Sequence, residues 1–139
     1  MFHVIRLRSG SVAIMERHGA EESHHRIRRE SDERRFGEAG ISTYAAAKHG
    51  VIGLSKAAAI EYASKGIRIN VLAPGLVETA MTKPWFDDPA MRSYFMANSP
   101  IGRFAQSEEI AQVVLFLCSD FASFAVGQTF AIDGGYTAR

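Results

Sequence analysis

Apolar and polar positions change their period along the chain, and this change predicts most of its elements. From Ser42 to about residue 65, small and apolar residues recur at helical spacing, and Gly66 follows as a helix stop. Residues 67–73 are β-branched and apolar and end at a Pro-Gly turn, which is typical of a strand. A helix, a glycine, a strand and a turn in this order predict half of a βαβ unit, and therefore a parallel sheet.

The same pattern predicts the packed faces of two helices and two further strands. Ser107 is a good N-cap for a second long helix, because Glu108 and Glu109 in its first turn favour the helix dipole. The predicted buried face of this helix comprises Ile110, Val113, Val114 and Leu117. In the first helix, the predicted apolar stripe comprises Val51, Leu54, Ala58 and Tyr62. Residues 128–132 predict a last strand, and residues 11–15 predict the one strand of the N-terminal part.

Residues 82–99 are rich in aromatic and methionine side chains and follow the carboxyl end of the predicted strand. Such a segment is typical of a mobile substrate lid. It is equally typical of two short helices that pack on the core. The sequence leaves both interpretations open.

Composition narrows the class of protein only a little. The chain has 139 residues, 47% of them hydrophobic and 22% charged, as in a soluble globular domain. The net charge of +1 indicates no particular partner, neither a nucleic acid nor a membrane surface. No apolar run approaches the roughly 20 residues of a membrane span. The single cysteine, Cys118, fits a reducing compartment, so we predict a cytoplasmic protein.

A shift in composition divides the chain into an atypical segment, residues 1–35, and the remainder, residues 36–139. The first segment contains eight arginines and no lysine, and little to bury after Met15. We interpret it as solvated or poorly ordered. A basic arm for nucleic acid and a metal site at His18, His24 and His25 are less favoured, because acidic residues cancel the charge and metal-ligand spacing is absent. We therefore expect no metal ion, and we hypothesise that the segment is an out-of-frame or unrelated translation.

The candidate chemistry lies at the start of the first helix. Tyr44 and Lys48 are four residues apart, so their side chains leave the same face of the helix. A free tyrosine has a pKa of about 10 and exchanges protons poorly at neutral pH. A neighbouring ammonium favours the phenolate and lowers that pKa toward the range of an acid–base catalyst. Residues 74–79 follow a parallel strand, at the edge where ligands of open α/β sheets bind.

From about residue 36 onward, the chain resembles the classical short-chain dehydrogenases/reductases. The resemblance rests on Tyr44-Ala-Ala-Ala-Lys48, on the run from Gly66 to Gly75, and on Val77 with Thr79. Pro100-Ile-Gly-Arg-Phe104, Ser107-Glu-Glu-Ile110 and Ile132-Asp-Gly-Gly135 complete it. Their order and spacing together are highly specific. The resemblance implies an α/β fold, namely the C-terminal part of a Rossmann-type, doubly wound parallel sheet.

The resemblance also implies an activity and its residues. The chain would be an oxidoreductase that interconverts a small-molecule alcohol and a carbonyl compound with NAD or NADP. Tyr44 would be the general acid/base, and Lys48 would lower its pKa and bind the nicotinamide ribose. The family's catalytic serine lies 13 residues before the tyrosine, which is Ser31 in this chain. The cofactor would contact Tyr44, Lys48, Pro74, Gly75, Val77 and Thr79, and the enzyme would form a homodimer or homotetramer.

Two departures from the family pattern leave a second function open. No glycine-rich phosphate turn occurs anywhere in the sequence, and this turn holds the adenosine diphosphate half of the cofactor in the family. Polar residues surround Ser31 where the family has an apolar strand. The alternative is therefore a non-catalytic fragment or interaction module that retains the oligomerisation helices.

Overall fold

A computed structural model describes the backbone of residues 2–6, 11–16 and 42–138, and the side chains of residues 42–138 apart from Tyr44. The strands are β1 (Phe2–Arg6), β2 (Ser11–Glu16), β3 (Arg68–Pro74) and β4 (Thr129–Ile132). The helices are α1 (Ser42–Ala63), α2 (Lys83–Asp87), α3 (Pro89–Ala97) and α4 (Ser107–Cys118), and a short 3₁₀ turn spans Asp120–Ala122.

The four strands form one sheet in the order β1-β2-β3-β4. β2, β3 and β4 are parallel, and Leu72 of β3 lies opposite Met15 on one side and Phe130 on the other. This architecture confirms the predicted α/β fold of a partial Rossmann-type sheet. The antiparallel edge strand β1 was not predicted, because charge and apolar residues are mixed without a clear period around it. Both strands of the N-terminal pair lie within the atypical segment 1–35, whose origin stays a hypothesis.

Helix α1 connects the two parallel strands β2 and β3 and packs on β3. Its predicted end is confirmed within two residues, since Gly66 has a φ of +74° and the Ile67 N–H donates to the carbonyl oxygen of Tyr62. A left-handed residue and such a backward bond are typical of a helix terminus closed by glycine.

The predicted apolar stripe of α1 is wrong for two of its four residues. Leu54 is 69% exposed and Tyr62 is 39% exposed, whereas Val51 and Ala58 are half-buried. The most buried residues of the helix are Lys48, Ser55 and Ala59. The side of the helix that carries the small residues Ser55 and Ala59 faces the sheet. The sheet residues Val71 and Leu72 are almost fully buried. Because small and apolar residues occur on both sides of this helix, periodicity alone could not select the inner face.

Helix α4 packs against β2 and β3 and is joined to the sheet by an arginine. The guanidinium of Arg68 donates to the carbonyl oxygens of Leu117, Ser119 and Ala122 at 2.8–3.0 Å. These carbonyls lie at and beyond the end of α4, where the intrahelical hydrogen bonds run out, and those of Ser119 and Ala122 also accept from the N–H groups of Ala122 and Ala125. Arg68 therefore acts as the C-terminal cap of α4 from the neighbouring strand.

The predictions for α4 hold with one correction. Ile110 and Leu117 are buried as predicted, and Val113 and Val114 are half-buried. The N-cap is Gln106 rather than Ser107, because the Gln106 side chain and that of Glu109 form a reciprocal capping box.

Residues 82–99 contain the two short helices α2 and α3, which enclose a small aromatic cluster. Phe86 and Phe104 are buried and stack with ring centroids 3.9 Å apart. Phe95 contacts both Phe104 and Trp85 at 6.0–6.5 Å between centroids. The helices thus carry their own apolar core, which supports the packing interpretation, while the lid interpretation stays a prediction.

Candidate active site

The start of α1 and the end of β3 lie at the same edge of the sheet. A helix that connects two parallel strands must run back antiparallel to them, so its first residues lie at their carboxyl ends. Tyr44 and Lys48 occupy the first two turns of α1, and Pro74 is the last residue of β3. The topology therefore brings the predicted acid–base pair and the predicted cofactor residues to one edge.

Of the three predicted catalytic residues, Lys48 is the one whose side chain is described. It is only 6% exposed, which is rare for a lysine unless the ammonium has partners or a function. Tyr44 lies one helical turn earlier, but its side chain is outside the described part of the chain. Ser31 also lies outside the described residues, so its predicted role stays a prediction.

Gly75 joins the turn after β3 to the turn after β4. Its N–H donates to the carbonyl oxygen of Ile132 at 3.0 Å. A Cβ atom at this position would lie 2.7 Å from the Cα atom of Asp133, closer than two such carbons can approach. Glycine is therefore required by the contact of the two turns, whether or not a cofactor binds beside it.

Val77 lies at the base of a closed loop. It forms an isolated parallel bridge with Ala105, in which the Glu78 N–H and the Ala105 N–H donate to the carbonyl oxygens of Ala105 and Leu76 at 2.9 and 3.0 Å. A side-chain bond from Gln106 to Glu78 at 3.0 Å reinforces this bridge. The loop that carries α2 and α3 thus begins and ends at one fixed point beside the sheet edge.

Thr79 lies just beyond that base and is bound to a residue that the sequence did not single out, Thr82. The Thr79 N–H donates to Thr82 Oγ1 at 2.9 Å, and the two hydroxyl oxygens are 3.0 Å apart. Thr82 Oγ1 also donates to the carbonyl oxygen of Val77 at 2.7 Å. Thr82 directly precedes α2, where threonine is commonly a helix cap, and no sequence motif pointed to its contact with Thr79.

Asp133 organises the neighbouring turn after β4. Its carboxylate accepts bonds from the N–H groups of Gly135 and Thr137 and from the Thr137 hydroxyl. Burial raises the pKa of this carboxyl, but these hydrogen bonds outweigh burial and hold the pKa below its usual value. Gly134, with a φ of +65°, packs against Ile101 at the end of the α2–α3 loop.

A cavity of about 100 Å³ lies beside this turn, lined in part by Leu76, Ile101, Arg103, Glu109 and Tyr136. Drug-sized and cofactor-sized ligands occupy pockets of roughly 300–1,000 Å³. The cavity is therefore too small to hold a dinucleotide.

The residues at this sheet edge offer polar groups of the kind that the nicotinamide half of a dinucleotide would use. Lys48 is buried, and the hydroxyl of Thr79 is part-buried. The described residues contain no glycine-rich turn that could hold a pyrophosphate group, and the full sequence contains no such motif. Within the described ranges, no group of three or more His, Cys, Asp or Glu side chains could hold a metal ion.

Comparison with known proteins decides the family. A family sequence model described as enoyl-(acyl carrier protein) reductase matches residues 13–137. The chain belongs to the short-chain dehydrogenase/reductase family. It is 50% identical over 99 residues to cyclohexanol dehydrogenase from Acinetobacter sp. strain SE19, which covers 71% of this chain and 38% of that protein.

Solved structures of other short-chain dehydrogenases/reductases are similar to this chain. 4-Hydroxyisoleucine dehydrogenase complexed with NADH matches with a TM-score of 0.67 and 36% identity, over 69% of this chain and 40% of that one. A gluconate 5-dehydrogenase from Burkholderia cenocepacia J2315 in complex with NADP and tartrate has a TM-score of 0.69 and 36% identity, over 74% and 40% of the two chains. The chain thus spans about two-fifths of the length of these relatives.

The match to a short-chain dehydrogenase/reductase begins earlier than residue 36, where the sequence motifs begin. It starts at residue 13, inside β2, the strand that pairs with β3. In the part of the chain that the structure describes, none of the helices combines the length and the apolar character needed to cross a membrane.

Proposed function

We propose that this chain contributes the acid–base pair and the nicotinamide half-site of an NAD(P)-dependent oxidoreductase that interconverts an alcohol and a carbonyl compound. The observation that carries the proposal is the buried ammonium of Lys48, one helical turn after Tyr44 and at the sheet edge where β3 ends. Membership of the short-chain dehydrogenase/reductase family supports it. With one cysteine in the sequence, we propose a cytoplasmic location.

Each residue has a role in this proposal. Tyr44 transfers the proton to or from the substrate oxygen, and the ammonium of Lys48 stabilises the phenolate form and binds the ribose. Pro74, Gly75, Val77 and Thr79 line the nicotinamide side of the cofactor. NAD or NADP supplies the hydride when bound, and the chain supplies orientation and proton transfer.

The test is turnover of cyclohexanol with NAD or NADP at millimolar concentration. We expect Tyr44→Phe to lower kcat by about 10²- to 10⁴-fold, the usual contribution of a general acid/base. Tyr62→Phe is the matched control, since Tyr62 is a half-exposed tyrosine at the other end of the same helix and should retain full activity. Equal activity of Tyr44→Phe and the parent chain would contradict the role of Tyr44.

Cofactor affinity should be low, because the chain has no glycine-rich turn for the pyrophosphate. We expect no saturation in a fluorescence titration with micromolar NADH or NADPH. Saturable binding in that range would contradict the inference that the main anchor of the cofactor is missing. Complete absence of turnover at millimolar cofactor would favour the second candidate.

The second candidate is a non-catalytic interaction module that pairs with a second copy of this chain. Large apolar side chains on two surfaces favour it. Leu54 and Ile60 are exposed on α1, and Phe121 and Phe124 beyond α4 are 91% and 100% exposed. Exposed apolar groups of this size mark interaction surfaces when they form contiguous patches.

Oligomeric mass measured by light scattering tests this candidate. We expect a dimer or a tetramer for the parent chain, and a smaller species when Phe121 and Phe124 are both changed to serine. Met81→Ser is the control, since Met81 is an exposed apolar residue that belongs neither to α1 nor to the segment beyond α4. A monomeric parent chain would contradict the interaction module.

A further inference from the structure

Thr82 occupies a helix N-cap position but does not cap the helix. Threonine at this position usually accepts a hydrogen bond from an N–H group in the first turn of the helix. Thr82 precedes α2 and makes no side-chain cap bond. Its side chain is instead buried, with its hydroxyl turned back toward the turn after β3. Thr82 therefore binds the preceding turn in place of the helix cap that is usual for threonine at this position.

The hydrogen-bond distances assign the hydroxyl protons of this turn. Thr82 Oγ1 has one proton, and its shortest contact is the carbonyl oxygen of Val77 at 2.7 Å. A carbonyl oxygen cannot donate, and the other carbonyl oxygen near Thr82 Oγ1, that of Thr79, is farther away at 3.2 Å. We therefore place the proton of Thr82 in the contact with Val77. In the 3.0 Å contact between the two hydroxyl groups, Thr79 is then the donor and Thr82 is the acceptor.

The Thr82 oxygen is saturated in this arrangement. It donates to the nearer of two carbonyl oxygens, that of Val77, and accepts twice, from the N–H and from the hydroxyl of Thr79. The proton of the Thr79 hydroxyl is committed to Thr82, so its oxygen can act toward a ligand as an acceptor only. The one described N–H near that oxygen, from Thr82, is at the long distance of 3.4 Å.

We propose that Thr82 is a positioning residue, which fixes the side chain of Thr79 in one rotamer and leaves the Thr79 oxygen as a hydrogen-bond acceptor for an N–H donor of the bound ligand. The inference rests on the proposed function, in which Thr79 lines the nicotinamide side of the cofactor, whose carboxamide carries such a donor. Thr82 itself acts through Thr79 and contacts no reacting atom. A hydroxyl that could rotate freely would offer a donor as often as an acceptor, and would discriminate less between ligands.

The experiment compares Thr82→Val with Thr82→Ser in the isotopically labelled chain, without ligand. Three-bond couplings from the Thr79 Cγ2 atom to its backbone N and carbonyl carbon report the Thr79 rotamer. We expect one rotamer in the parent chain and in Thr82→Ser, and averaged couplings in Thr82→Val. Hydrogen exchange of the Thr79 N–H should become about tenfold faster or more in Thr82→Val and recover in Thr82→Ser, because the serine retains the acceptor.

Thr129→Val is the matched control, since it makes the same chemical change at an exposed position of β4. It should leave the Thr79 couplings and exchange rate unchanged. A single Thr79 rotamer in Thr82→Val would overturn the proposal, as would averaged couplings in Thr82→Ser. If Thr82→Val does not fold, the couplings of Thr82→Ser decide alone.

A titration with NADH separates this inference from the proposed function. Movement of the Thr79 amide signal on addition of millimolar NADH would support both. A Thr79 signal that stays unmoved would contradict the cofactor role of Thr79 but not the positioning by Thr82, because the couplings are measured without ligand.

Discussion

Two turns lie side by side at the carboxyl edge of the sheet, and each is held by a different kind of side chain. The turn after β3 is held by the neutral hydroxyl of Thr82, and the turn after β4 is held by the carboxylate of Asp133. A hydroxyl donates and accepts, so Thr82 binds an N–H and a carbonyl oxygen at once. An ionised carboxylate can only accept, so Asp133 accepts hydrogen bonds from N–H and O–H donors.

The two anchors differ in how they depend on pH. Asp133 holds its turn with a charge whose effect depends on pH, and that turn contacts Gly75 on one side and Ile101 on the other. Thr82 holds the turn of Val77 and Thr79 without any charge. The turn that carries Thr79 should therefore be insensitive to pH, whereas the turn after β4 should lose stability in acid.

The contact between the two turns gives the largest expected effect. Gly75→Ala would drive a Cβ atom into the main chain of Asp133, and we expect it to lower the free energy of unfolding by about 1–3 kcal/mol, the usual cost of overpacking. Urea denaturation measures this change. Gly50→Ala is the control, because no atom lies near its Cβ position in α1, and it should raise stability by about 0.5–1 kcal/mol. A Gly75→Ala variant as stable as the parent would show that the turns are not in fixed contact.

Removal of the neutral hydroxyl should have the next largest effect. Thr82→Val leaves the Thr79 N–H and the Val77 carbonyl without their partner, and we expect a loss of about 1–3 kcal/mol in the free energy of unfolding. The loss should be the same at about pH 4 and about pH 8, because neither hydroxyl titrates in that range. A loss that changes with pH would show that an ionised group, and not the hydroxyl, holds this turn.

The elements with strong local signals were predicted correctly from the sequence. Strand β3 is a short β-branched run between a glycine and a Pro-Gly turn, and both boundaries are within one residue of the predicted ones. Helix α4 has acidic residues in its first turn and apolar residues at helical spacing, so its length and two of its buried residues were predicted. In both cases the pattern along the chain and the packing in the fold agree.

The inner face of α1 and the edge strand β1 could not be predicted in the same way. In α1, alanine and glycine occur around the whole circumference, so the pattern does not show which side faces the sheet. In the fold, the side with Lys48 and Ala59 is buried. β1 pairs with β2 through main-chain groups, which every residue carries, so the pairing leaves little trace in the side-chain pattern.

Part of the candidate site could be predicted from residue type. The four-residue spacing of Tyr44 and Lys48 predicts an acid–base pair, which stays a prediction, and its place at the sheet edge follows from the order of the elements. Thr82 was missed, because no sequence signal singles it out. Which of two possible partners a threonine binds depends on the path of the preceding turn, and that path is a property of the tertiary structure.

Replacement of the charged group should have a smaller effect, which is largest at neutral pH and disappears in acid. Asp133→Asn retains one acceptor oxygen and turns an amide N–H₂ toward donors, so we expect a loss of about 1 kcal/mol in the free energy of unfolding at neutral pH. The folded pKa of Asp133 is lowered from its ordinary value of 3.8. Its stabilisation is therefore complete above that value and is lost as pH falls through the lower, folded pKa.

Urea denaturation from neutral pH into acid measures this dependence. Asp133→Asn should flatten the decline of stability below about pH 4, whereas Thr82→Val should decline in parallel with the parent. An unchanged acid decline in Asp133→Asn would contradict the assignment of a charged anchor to the turn after β4.

The smallest effect is expected at the base of the α2–α3 loop, where an acidic group is exposed rather than part-buried. Glu109 binds Arg103 through two bonds of 2.7 Å, and the hydrogen bond from Arg103 and that from the Gln106 N–H lower the pKa of Glu109 from 4.5 to about 2. The stabilisation is therefore complete above the ordinary value and is lost as pH falls toward about 2. Exposure and salt weaken such a pair, so its contribution should be small and should decline with ionic strength.

Glu109→Gln removes the charge but retains the helix cap, because a glutamine side chain at this position can still accept the hydrogen bond from the Gln106 N–H. At neutral pH and low salt, we expect a slightly lower Tm than in the parent chain. In acid, the Tm of the variant should decline less than that of the parent, because the variant has no carboxylate to protonate at this position. Glu108→Gln removes an exposed carboxylate from the same helical turn and should retain the acid dependence of the parent chain. If Glu109→Gln and Glu108→Gln show the same profile of Tm against pH, the pair of Arg103 and Glu109 does not contribute to the loss of stability in acid.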